Sequence, residues 1–152
     1  MSLPATSTVV RPASAADWPA IERLLRARDL PPDGAHSHLD AFLVAEKDRV
    51  VVGCAGLERY EDAALLRSVA VAEPLAGRGV GKELVVHSID LARRRGVREL
   101  YLLTNTAADY FPRFGFERLP REALPTALSA SEELRGACPA SAIAMRLVLL
   151  PS

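Results

Sequence analysis

The sequence predicts an α/β fold in which short apolar strands are combined with a few amphipathic helices. The first observation is a run of three strand-like segments at 41–46, 50–60 and 64–72, separated by short polar turns. The second is a glycine-rich turn that joins the last of these strands to a long amphipathic helix at 78–95. Because consecutive strands joined by short turns pair readily side by side, we expect antiparallel pairing among the first three.

The first third of the chain is predicted to form a strand, a helix and a polar loop. Residues 9–11 are the strand, and apolar side chains recur at helical spacing from Ser14 to Arg28, which predicts an amphipathic helix. Ser14 and Asp17 have the spacing of a capping box at its start. The polar residues 36–40 follow a Pro-Pro-Asp-Gly break and could line a substrate pocket.

The second half of the chain is predicted to contain both strands and helices. The helix at 78–95 ends at Gly96, which is suited to a C-terminal cap, and basic residues in its last turn suit the helix dipole. The elements expected after it are a strand at 99–103, a short helix at 107–113, a strand beginning at Gly115, a helix at 122–135 and a final strand at 141–150.

Length and composition limit the class of protein. The chain has 152 residues, of which 49% are apolar, with 19 basic and 19 acidic side chains. We therefore expect a single domain over 1–152, with no nucleic acid as its main partner. Because the N-terminus lacks the pattern of a signal peptide and no apolar run is long enough to span a bilayer, we also expect a cytoplasmic protein with no membrane partner.

The two cysteines predict neither a disulfide framework nor a metal site. Cys54 and Cys138 form no CxxC or Cys/His cluster with metal-ligand spacing, so we expect no metal. Cys54 lies within an apolar stretch and is expected to be a small core residue rather than a nucleophile. Cys138 precedes Pro139 in a loop that could close a pocket, and we expect it to be structural.

The most informative stretch runs from Val69 to Lys82, with the sequence VAVAEPLAGRGVGK. Glycines at every second position from Gly77 to Gly81 let the backbone approach a ligand closely, and unpaired amides at the start of a helix attract anions. Arg78 adds positive charge beside them. The pattern predicts a phosphate cradle, and the alternative is a strand-to-helix turn that binds nothing.

Two common phosphate motifs do not fit this loop. A Walker loop would need glycine at Ala76 and Ser or Thr at Glu83, and a dinucleotide fingerprint would need glycine at Lys82 after the first strand of a βαβ unit. The loop instead resembles the acetyl-CoA loop of the GCN5-related N-acetyltransferases (GNAT superfamily). Ala76, Gly79 and Gly81 occupy its three fixed positions, although most relatives carry Arg or Gln in place of Ala76.

The order of strands and helices resembles the GNAT fold over nearly the full length of the chain. The resemblance implies a mixed central sheet of about six to seven strands with helices on both faces. It also implies acetyl-CoA as co-substrate and a small-molecule amine as partner. The residues it assigns to acetyl-CoA binding are Val69, Val71, Ala76, Gly77, Arg78, Gly79, Val80, Gly81, Lys82 and Thr104.

Further stretches resemble the amino-acid acetyltransferase branch of the superfamily. They are residues 53–58 (GCAGLE), 66–71 (LRSVAV), 102–116 (LLTNTAADYFPRFGF) and the segment from 119 to 142. They are most similar to the N-acetyltransferases linked to arsenic resistance, which acetylate the glutamate-like antibiotic arsinothricin, and more distantly to N-acetylglutamate synthases. The resemblance implies direct acetylation of the α-amino group of arsinothricin, phosphinothricin or a similar amino acid, as a detoxification step.

Three other functions stay open at this point. One is N-acetylation of an ordinary amino acid in metabolism, and another is a regulatory CoA-binding module without catalysis. Acetylation of a peptide or protein N-terminus is a third. An edge strand near the C-terminus could pair between two copies of the chain, so a homodimer is also an expectation.

Candidate catalytic residues follow from strand geometry and from the resemblance. Glu58 and Tyr60 share one face of their strand and could carry the amine's proton, unless Glu58 is a solvated charge at the strand end. Relatives often place an acidic residue where this chain has Leu65. The general acid of relatives, a tyrosine, falls at Phe111, so Tyr110 is the candidate proton donor, and a core aromatic residue is the alternative.

A glutamate-like acceptor has two anionic ends, which arginines can bind in a bidentate manner. Arg67 is the first candidate because it lies inside an otherwise apolar strand, although a surface or paired arginine would fit the same pattern. Arg59 and Arg113 are further candidates. His36 and His38 lie in the polar loop, and we expect His38 to contact the acceptor.

Overall fold

Seven strands form a mixed sheet in the computed structural model, which describes residues 8–131, 134 and 141–149. The strands are β1 (Val9–Pro12), β2 (Phe42–Lys47), β3 (Val50–Tyr60), β4 (Ala63–Val71), β5 (Glu99–Thr104), β6 (Glu117–Leu119) and β7 (Ile143–Val148). The α-helices of the described residues are α1 (Trp18–Ala27) and α2 (Val80–Arg94). Among these elements no helix has the length and apolar character needed to cross a bilayer.

The sheet has the strand order β1-β2-β3-β4-β5-β7-β6. β4 and β5 pair parallel, with α2 as the crossover between them, and every other pair is antiparallel. The antiparallel pairing predicted for the three early strands is therefore confirmed. β1 and β6 are the edge strands, and pairing between two copies of the chain stays a prediction.

Helices cover both faces of the sheet, as the predicted fold class requires. On one face, Val85 and Ile89 of α2 pack in a core cluster with Leu57, Leu66 and Leu102. On the other face, α1 contributes to a second cluster whose buried members include Ile21, Leu25, Phe42, Val44 and Cys54. The α1–β2 connection, residues 28–41, contains a 3₁₀ segment over Ala35–Ala41. It lies on the same face as α1 because Ala35 belongs to that cluster.

The predicted caps of both helices are present. The Ser14 amide donates a 2.8 Å hydrogen bond to Asp17 Oδ2, which starts a 3₁₀ turn leading directly into α1. The same carboxylate binds Arg11 through distances of 2.8 and 3.0 Å. Gly96 follows α2 with a φ of 80°, the left-handed conformation expected of a C-terminal cap.

The prediction of a helix over 122–135 is wrong for residues 122–131. That part contains two short 3₁₀ turns, Arg121–Ala123 and Thr126–Ala130. Leu124 between them is extended, with a ψ of 139°, because the ring of Pro125 disfavours helical geometry in the residue before it. Residues 132–133 and 135 lie outside the described residues, as does Cys138.

The segment before β6 also differs from its prediction. The expected helix at 107–113 is a turn followed by a 3₁₀ segment, Phe111–Phe114, because Pro112 interrupts regular helical hydrogen bonding. Gly115 has a φ of 100°, which no extended strand residue adopts. The strand predicted from Gly115 therefore begins two residues later, at Glu117.

Candidate active site

A V-shaped opening lies between the two parallel strands in the middle of the sheet. The pairing of β4 with β5 covers only Ala63 to Leu65 on the first strand and Glu99 to Tyr101 on the second. Beyond these pairs, β4 is hydrogen-bonded to β3. The rest of β5 is hydrogen-bonded to β7. The backbone at the end of β4 is therefore open along one side and can bind a ligand there.

A β-bulge in β4 lies next to this opening. Gly56 pairs with Arg67 and Cys54 with Ala70, so β4 has one more residue than β3 between these two pairs. Ser68 takes up the extra length with a left-handed φ of 61°. Because a bulge bends its own strand and increases its twist, this irregularity accounts for the divergence of β4 from β5.

Cys54 is a core residue that supports the bulge. Its thiol is fully buried and donates to the Ser68 carbonyl at 3.3 Å. Burial raises the pKa of the thiol to about 12, so it stays protonated at neutral pH. These properties agree with the predicted core role and exclude Cys54 as a nucleophile.

The loop after β4 has the backbone conformation that the glycine pattern predicts. Gly77 and Gly79 have left-handed φ values of 79° and 87°. A Cβ atom at either position would meet nothing within 4 Å. Backbone conformation, rather than crowding by the protein, therefore favours glycine at both positions.

The start of α2 presents unpaired amides beside this loop. Glu83 donates to the Gly79 carbonyl at 3.0 Å, and the helical amides before Glu83 have no acceptor four residues earlier within the helix. A cleft of about 550 Å³ adjoins them, lined by Thr8, Leu75, Arg78, Gly79, Val80, Lys82 and Glu83. Amides, two cations and open space together fit the phosphate groups of CoA. Ala76 is exposed in the same loop and adds no polar side chain.

A second group of candidate residues meets on the sheet face that α1 covers. Glu58 is only 1% exposed. The Tyr60 hydroxyl donates to Glu58 Oε1 at 2.6 Å, and Arg67 Nη1 lies 2.5 Å from Glu58 Oε2. His38 Nε2 is 3.9 Å from Oε1. The alternative of a solvated charge at the strand end is therefore wrong for Glu58.

The environment of Glu58 keeps it ionised. Burial acts to raise the pKa of its carboxyl group, but hydrogen bonds from Tyr60, Arg67 and Ser131 and the charge of Arg67 outweigh it, so the pKa lies below its ordinary value. Burial and the neighbouring carboxylate raise the pKa of Tyr60. At neutral pH the pair is therefore a carboxylate that accepts a hydrogen bond from a neutral hydroxyl.

Arg67 is the most enclosed of the candidate arginines. Its side chain has 0% exposure, and its Nε donates to Ser68 Oγ at 2.9 Å. Nη1 and Nη2 donate to the carbonyls of Asp33 and Pro31, each at 2.7 Å. It is a paired arginine rather than a surface one, and its ion-pair partner is Glu58.

The two loop histidines have different surroundings. The His38 side chain is 27% exposed, and its ring lies edge-on to the Tyr60 ring with 6.0 Å between centroids. His36 is exposed and packs edge-on against Trp18, with a centroid distance of 5.1 Å. Only His38 is therefore brought to the Glu58 carboxylate.

The structure does not bring the other two candidate arginines into contact with Glu58. Arg59 is exposed and, because side chains alternate along a strand, points to the opposite face from its neighbours Glu58 and Tyr60. Arg113 is also exposed, and its guanidinium carbon lies 4.2 Å from the centre of the Tyr110 ring. Arg113 Nε donates to the Tyr110 carbonyl at 2.8 Å.

Tyr110 and Phe111 have separate roles. Phe111 is buried in the core, with its ring 5.8 Å from that of Phe116. The Tyr110 hydroxyl lies 3.7 Å from the point that a Cβ atom at Gly81 would occupy, beside Val71. Burial raises the pKa of Tyr110, so its hydroxyl stays protonated at neutral pH, and it lies beside the phosphate cradle.

Several functional contacts could not be found from sequence patterns. The buried Ser131, which bonds to Glu58 and Tyr60, lies within the segment predicted to be helical, and no motif points to it. The loop carbonyls that bind Arg67 belong to the backbone, so no pattern of side chains predicts them.

Thr104 is at the end of the opening, where its Oγ1 accepts a 2.9 Å hydrogen bond from the Ala107 amide. No cluster of three or more His, Cys, Asp or Glu side chains that could hold a metal occurs in the part of the chain that the structure describes.

Sequence comparison identifies one family and two informative kinds of relative. The model of the acetyltransferase (GNAT) family matches residues 9–116. An uncharacterized N-acetyltransferase of Chlorobaculum tepidum is 30% identical over 131 residues, which cover 81% of this chain and 84% of that protein. The amino-acid acetyltransferase of Neisseria meningitidis serogroup A is 28% identical over 125 residues, which cover 76% of this chain and 29% of that protein.

Solved structures share the fold. N-acetylglutamate synthase from Neisseria gonorrhoeae, complexed with coenzyme A and L-arginine, superimposes with a TM-score of 0.78 at 25% identity, covering 93% of this chain and 33% of that one. Rv2747 from Mycobacterium tuberculosis, solved in complex with CoA, gives a TM-score of 0.76 at 25% identity and covers 93% and 99%. The chain thus spans about a third of the synthase but nearly all of the mycobacterial protein.

Proposed function

This chain belongs to the acetyltransferase (GNAT) family, and on that premise we propose that it acetylates the α-amino group of a glutamate-like amino acid. It is an acetyl-CoA-dependent N-acetyltransferase. The observation that carries the acceptor proposal is the buried Glu58 carboxylate, held by Tyr60 and Arg67 beneath the loop that precedes β2. Similarity to amino-acid acetyltransferases supports an amino acid as the acceptor.

The cofactor side of the proposal uses the opening and the cradle. The backbone of Val69 and Val71 is at the open end of β4, where it can hydrogen-bond the pantetheine arm. The first amides of α2, together with Arg78 and Lys82, would hold the phosphates. Acetyl-CoA supplies an activated acetyl thioester, and Thr104 is at the far wall of the same opening.

The acceptor side of the proposal uses the Glu58 cluster. An ammonium group must lose a proton before it can attack a thioester, and an ionised carboxylate attracts it and orients it. Because the pKa of Glu58 is below its ordinary value, it would pass the proton onward to water rather than keep it. Glu58 and Tyr60 are the proposed route, and His38, a partly exposed member of the cluster, would contact the acceptor.

Register supports Glu58 as the functional carboxylate. Glu58 pairs directly with Leu65, the position at which relatives often have an acidic residue. Directly paired residues of an antiparallel ladder project from the same face, with Cβ atoms about 5 Å apart. The carboxylate can therefore come from β3 instead of β4, which weakens the proposal of a CoA-binding module without catalysis.

Tyr110 is the proposed proton donor to the departing thiolate. Its neutral hydroxyl faces the first turn of α2, beside Val71. The alternative is an unassisted thiolate, which is a tolerable leaving group because the pKa of a thiol is about 8.5. Arg113, which stacks on Tyr110, and the exposed Arg59 are the remaining proposed ligands of an anionic acceptor group.

Arsinothricin and phosphinothricin are the specific acceptors we propose, as substrates of a cytoplasmic detoxification step. The support is the resemblance of residues 53–58, 66–71 and 102–116 to the enzymes that acetylate arsinothricin. The second candidate is glutamate itself, in metabolism. Similarity to amino-acid acetyltransferases and to N-acetylglutamate synthase favours that candidate.

Steady-state kinetics with matched acceptors test the proposal. Thiol release from acetyl-CoA is measured with arsinothricin, phosphinothricin, L-glutamate and L-glutamine, and with D-glutamate as the stereochemical control. A kcat/KM at least tenfold higher for the arsenic and phosphorus analogues than for L-glutamate supports detoxification, whereas the reverse order supports the metabolic candidate. Equal rates with D-glutamate would contradict specific recognition of an α-amino acid.

A further inference from the structure

Arg67 joins the three parts of the molecule that form the acceptor side of the site. Its Nη1 binds the Glu58 carboxylate and the Asp33 carbonyl, and Nη2 binds the Pro31 carbonyl. Its Nε binds Ser68 Oγ, at the bulge that opens β4. These partners come from β3, from the α1–β2 connection and from β4, and the partners on the connection are 34 and 36 residues distant in sequence.

This arrangement disfavours direct recognition of the acceptor by Arg67. Its side chain has 0% exposure, and Nε and both terminal nitrogens already donate to acceptors of the protein. An acceptor carboxylate could reach the guanidinium only if the connection at 31–33 moved away and the ion pair with Glu58 broke. The side chain is therefore suited to holding other groups in place.

We propose that Arg67 is a positioning residue that fixes both the Glu58 carboxylate and the 31–33 connection over the acceptor pocket. The inference rests on the proposed function, because it assigns to Glu58 the role of orienting the amine. A guanidinium can serve this role where an ammonium cannot, since its planar fork bonds several acceptors in fixed directions at once. The same guanidinium connects the acceptor side to the β4 bulge through its hydrogen bond to Ser68.

Among the residues that the structure describes, the titratable and charged groups that contact Glu58 come from β3, β4 and the α1–β2 connection. They are Tyr60 on β3, Arg67 on β4 and His38 in the α1–β2 connection, with the neutral Ser131 from the segment after Thr126–Ala130. Arg67 is the only permanent cation among these groups. Weakening its bond to the carboxylate should therefore raise the pKa of Glu58 and move the acidic limb of the kcat/KM profile to higher pH.

Two substitutions at Arg67 test the proposal. Arg67→Lys keeps the positive charge but cannot bond to both carbonyls and to Glu58 at once. The double variant Arg67→Met/Glu58→Gln removes both charges, so that no unpaired carboxylate is left buried. Arg94→Lys is the control, because Arg94 is 67% exposed and pairs only with Asp90 on the same helix among the contacts described for it. The readouts for Arg67→Lys and the control are kcat and KM for L-glutamate and the pH profile. The acetyl-CoA Kd and the rate of proteolytic cleavage at 31–40 are measured for all the variants.

Positioning predicts a specific combination of results. Arg67→Lys should lower kcat about tenfold or more, speed cleavage at 31–40 and leave the acetyl-CoA Kd unchanged, while Arg94→Lys changes none of these. A rise confined to KM, with kcat and cleavage unchanged, would overturn positioning and assign Arg67 to direct acceptor binding.

A readout that does not depend on turnover separates this inference from the proposed function. The pKa of Glu58 is followed by ¹³C NMR of the labelled carboxyl group in the wild type and in Arg67→Lys. A higher pKa together with faster cleavage at 31–40 supports positioning even if no glutamate-like amino acid is acetylated. An unchanged pKa with unchanged cleavage contradicts positioning, whatever the acceptor is.

Discussion

The Tyr60 hydroxyl donates a 2.6 Å hydrogen bond to Glu58 Oε1. The two residues are neighbours on one face of β3 because side chains alternate along a strand. Glu58 is buried while Tyr60 is partly exposed, so the bond connects an enclosed carboxylate with the edge of the pocket. Such a bond both orients the carboxylate and stabilises its ionised form.

Replacing Tyr60 with phenylalanine should impair the function of Glu58. Tyr60→Phe removes one hydrogen bond to the ionised form, so the pKa of Glu58 should rise and the acidic limb of the kcat/KM profile should move to higher pH. We expect kcat/KM at neutral pH to fall about tenfold, with acetyl-CoA affinity unchanged. The measurement is a pH series of initial rates. An unchanged profile would remove Tyr60 from the proposed proton route.

Replacing Gly81 with alanine should block the cradle without damaging the fold. A Cβ atom at Gly81 would meet Val71 Cγ2 at 3.6 Å and Tyr110 Oη at 3.7 Å, which are ordinary contacts. Alanine is also the better helix former, by about 1 kcal/mol. We therefore expect equal or higher thermal stability, together with an acetyl-CoA Kd raised about tenfold because the methyl group stands beside the first amides of α2.

Gly96→Ala is the matched control for that substitution. Gly96 lies at the other end of α2 with a φ of 80°, and a Cβ atom there would meet nothing within 4 Å. The Gly96→Ala substitution should lower the unfolding free energy by about 1 kcal/mol through backbone strain alone and leave acetyl-CoA binding unchanged. If calorimetry showed that Gly81→Ala binds acetyl-CoA with wild-type affinity, the first amides of α2 would not be the phosphate site.

Gly56→Ala should be strongly destabilising. Gly56 pairs with Phe42 across β2 and β3, and an added Cβ atom would lie 2.1 Å from Cε1 of the Phe42 ring. Displacing this buried ring should cost about 1–3 kcal/mol of unfolding free energy, measured in urea. The double variant with Phe42→Leu should be more stable than the sum of the two single changes predicts, because the clash is shared. Strict additivity would contradict this explanation.

Acid should weaken the Arg11–Asp17 pair at the start of α1. The hydrogen bond from Arg11 lowers the pKa of Asp17 from 3.8 to about 2. A lowered carboxyl pKa stabilises the fold fully above the unfolded value, and this stabilisation is lost as the pH falls through the folded value. For Asp17 this stabilisation amounts to about 2 kcal/mol of unfolding free energy, and it is lost between about pH 4 and pH 2.

Asp17→Asn tests that assignment. The variant should be less stable than the wild type by about 2 kcal/mol at pH 7, and the difference should shrink as the pH approaches 2. Chemical denaturation at a series of pH values measures it. A difference that stays constant down to pH 2 would indicate lost packing or capping rather than lost charge.

Local features of the fold could be predicted from sequence. The Ser14–Asp17 capping box, the Gly96 cap and the left-handed glycines of the cradle each depend on residues within a few positions of one another. Helical periodicity and short turns likewise located both α-helices and the early antiparallel strands. The helix predicted over 122–135 does not form over 122–131, because the ring of Pro125 keeps Leu124 extended and so interrupts the helical spacing.

The acceptor site could be predicted only in part. Strand alternation placed Glu58 and Tyr60 on one face, and the hydrogen bond between them agrees with that reasoning. The partners of Arg67 could not be found in this way, because Pro31 and Asp33 bind it through backbone carbonyls that any residue provides. The bulge at Ser68 has no signal in the sequence either, since it is visible only in the register of two paired strands.

A competition experiment tests the central claim most directly. The wild-type protein is incubated with acetyl-CoA and equal concentrations of arsinothricin, phosphinothricin, L-glutamate, L-glutamine, a polyamine and an aminoglycoside, and the products are identified by tandem mass spectrometry. The account predicts that acetyl groups accumulate on the α-nitrogen of the glutamate-like acceptors, and that Glu58→Gln abolishes this. Acetylation confined to the polyamine or the aminoglycoside would contradict it.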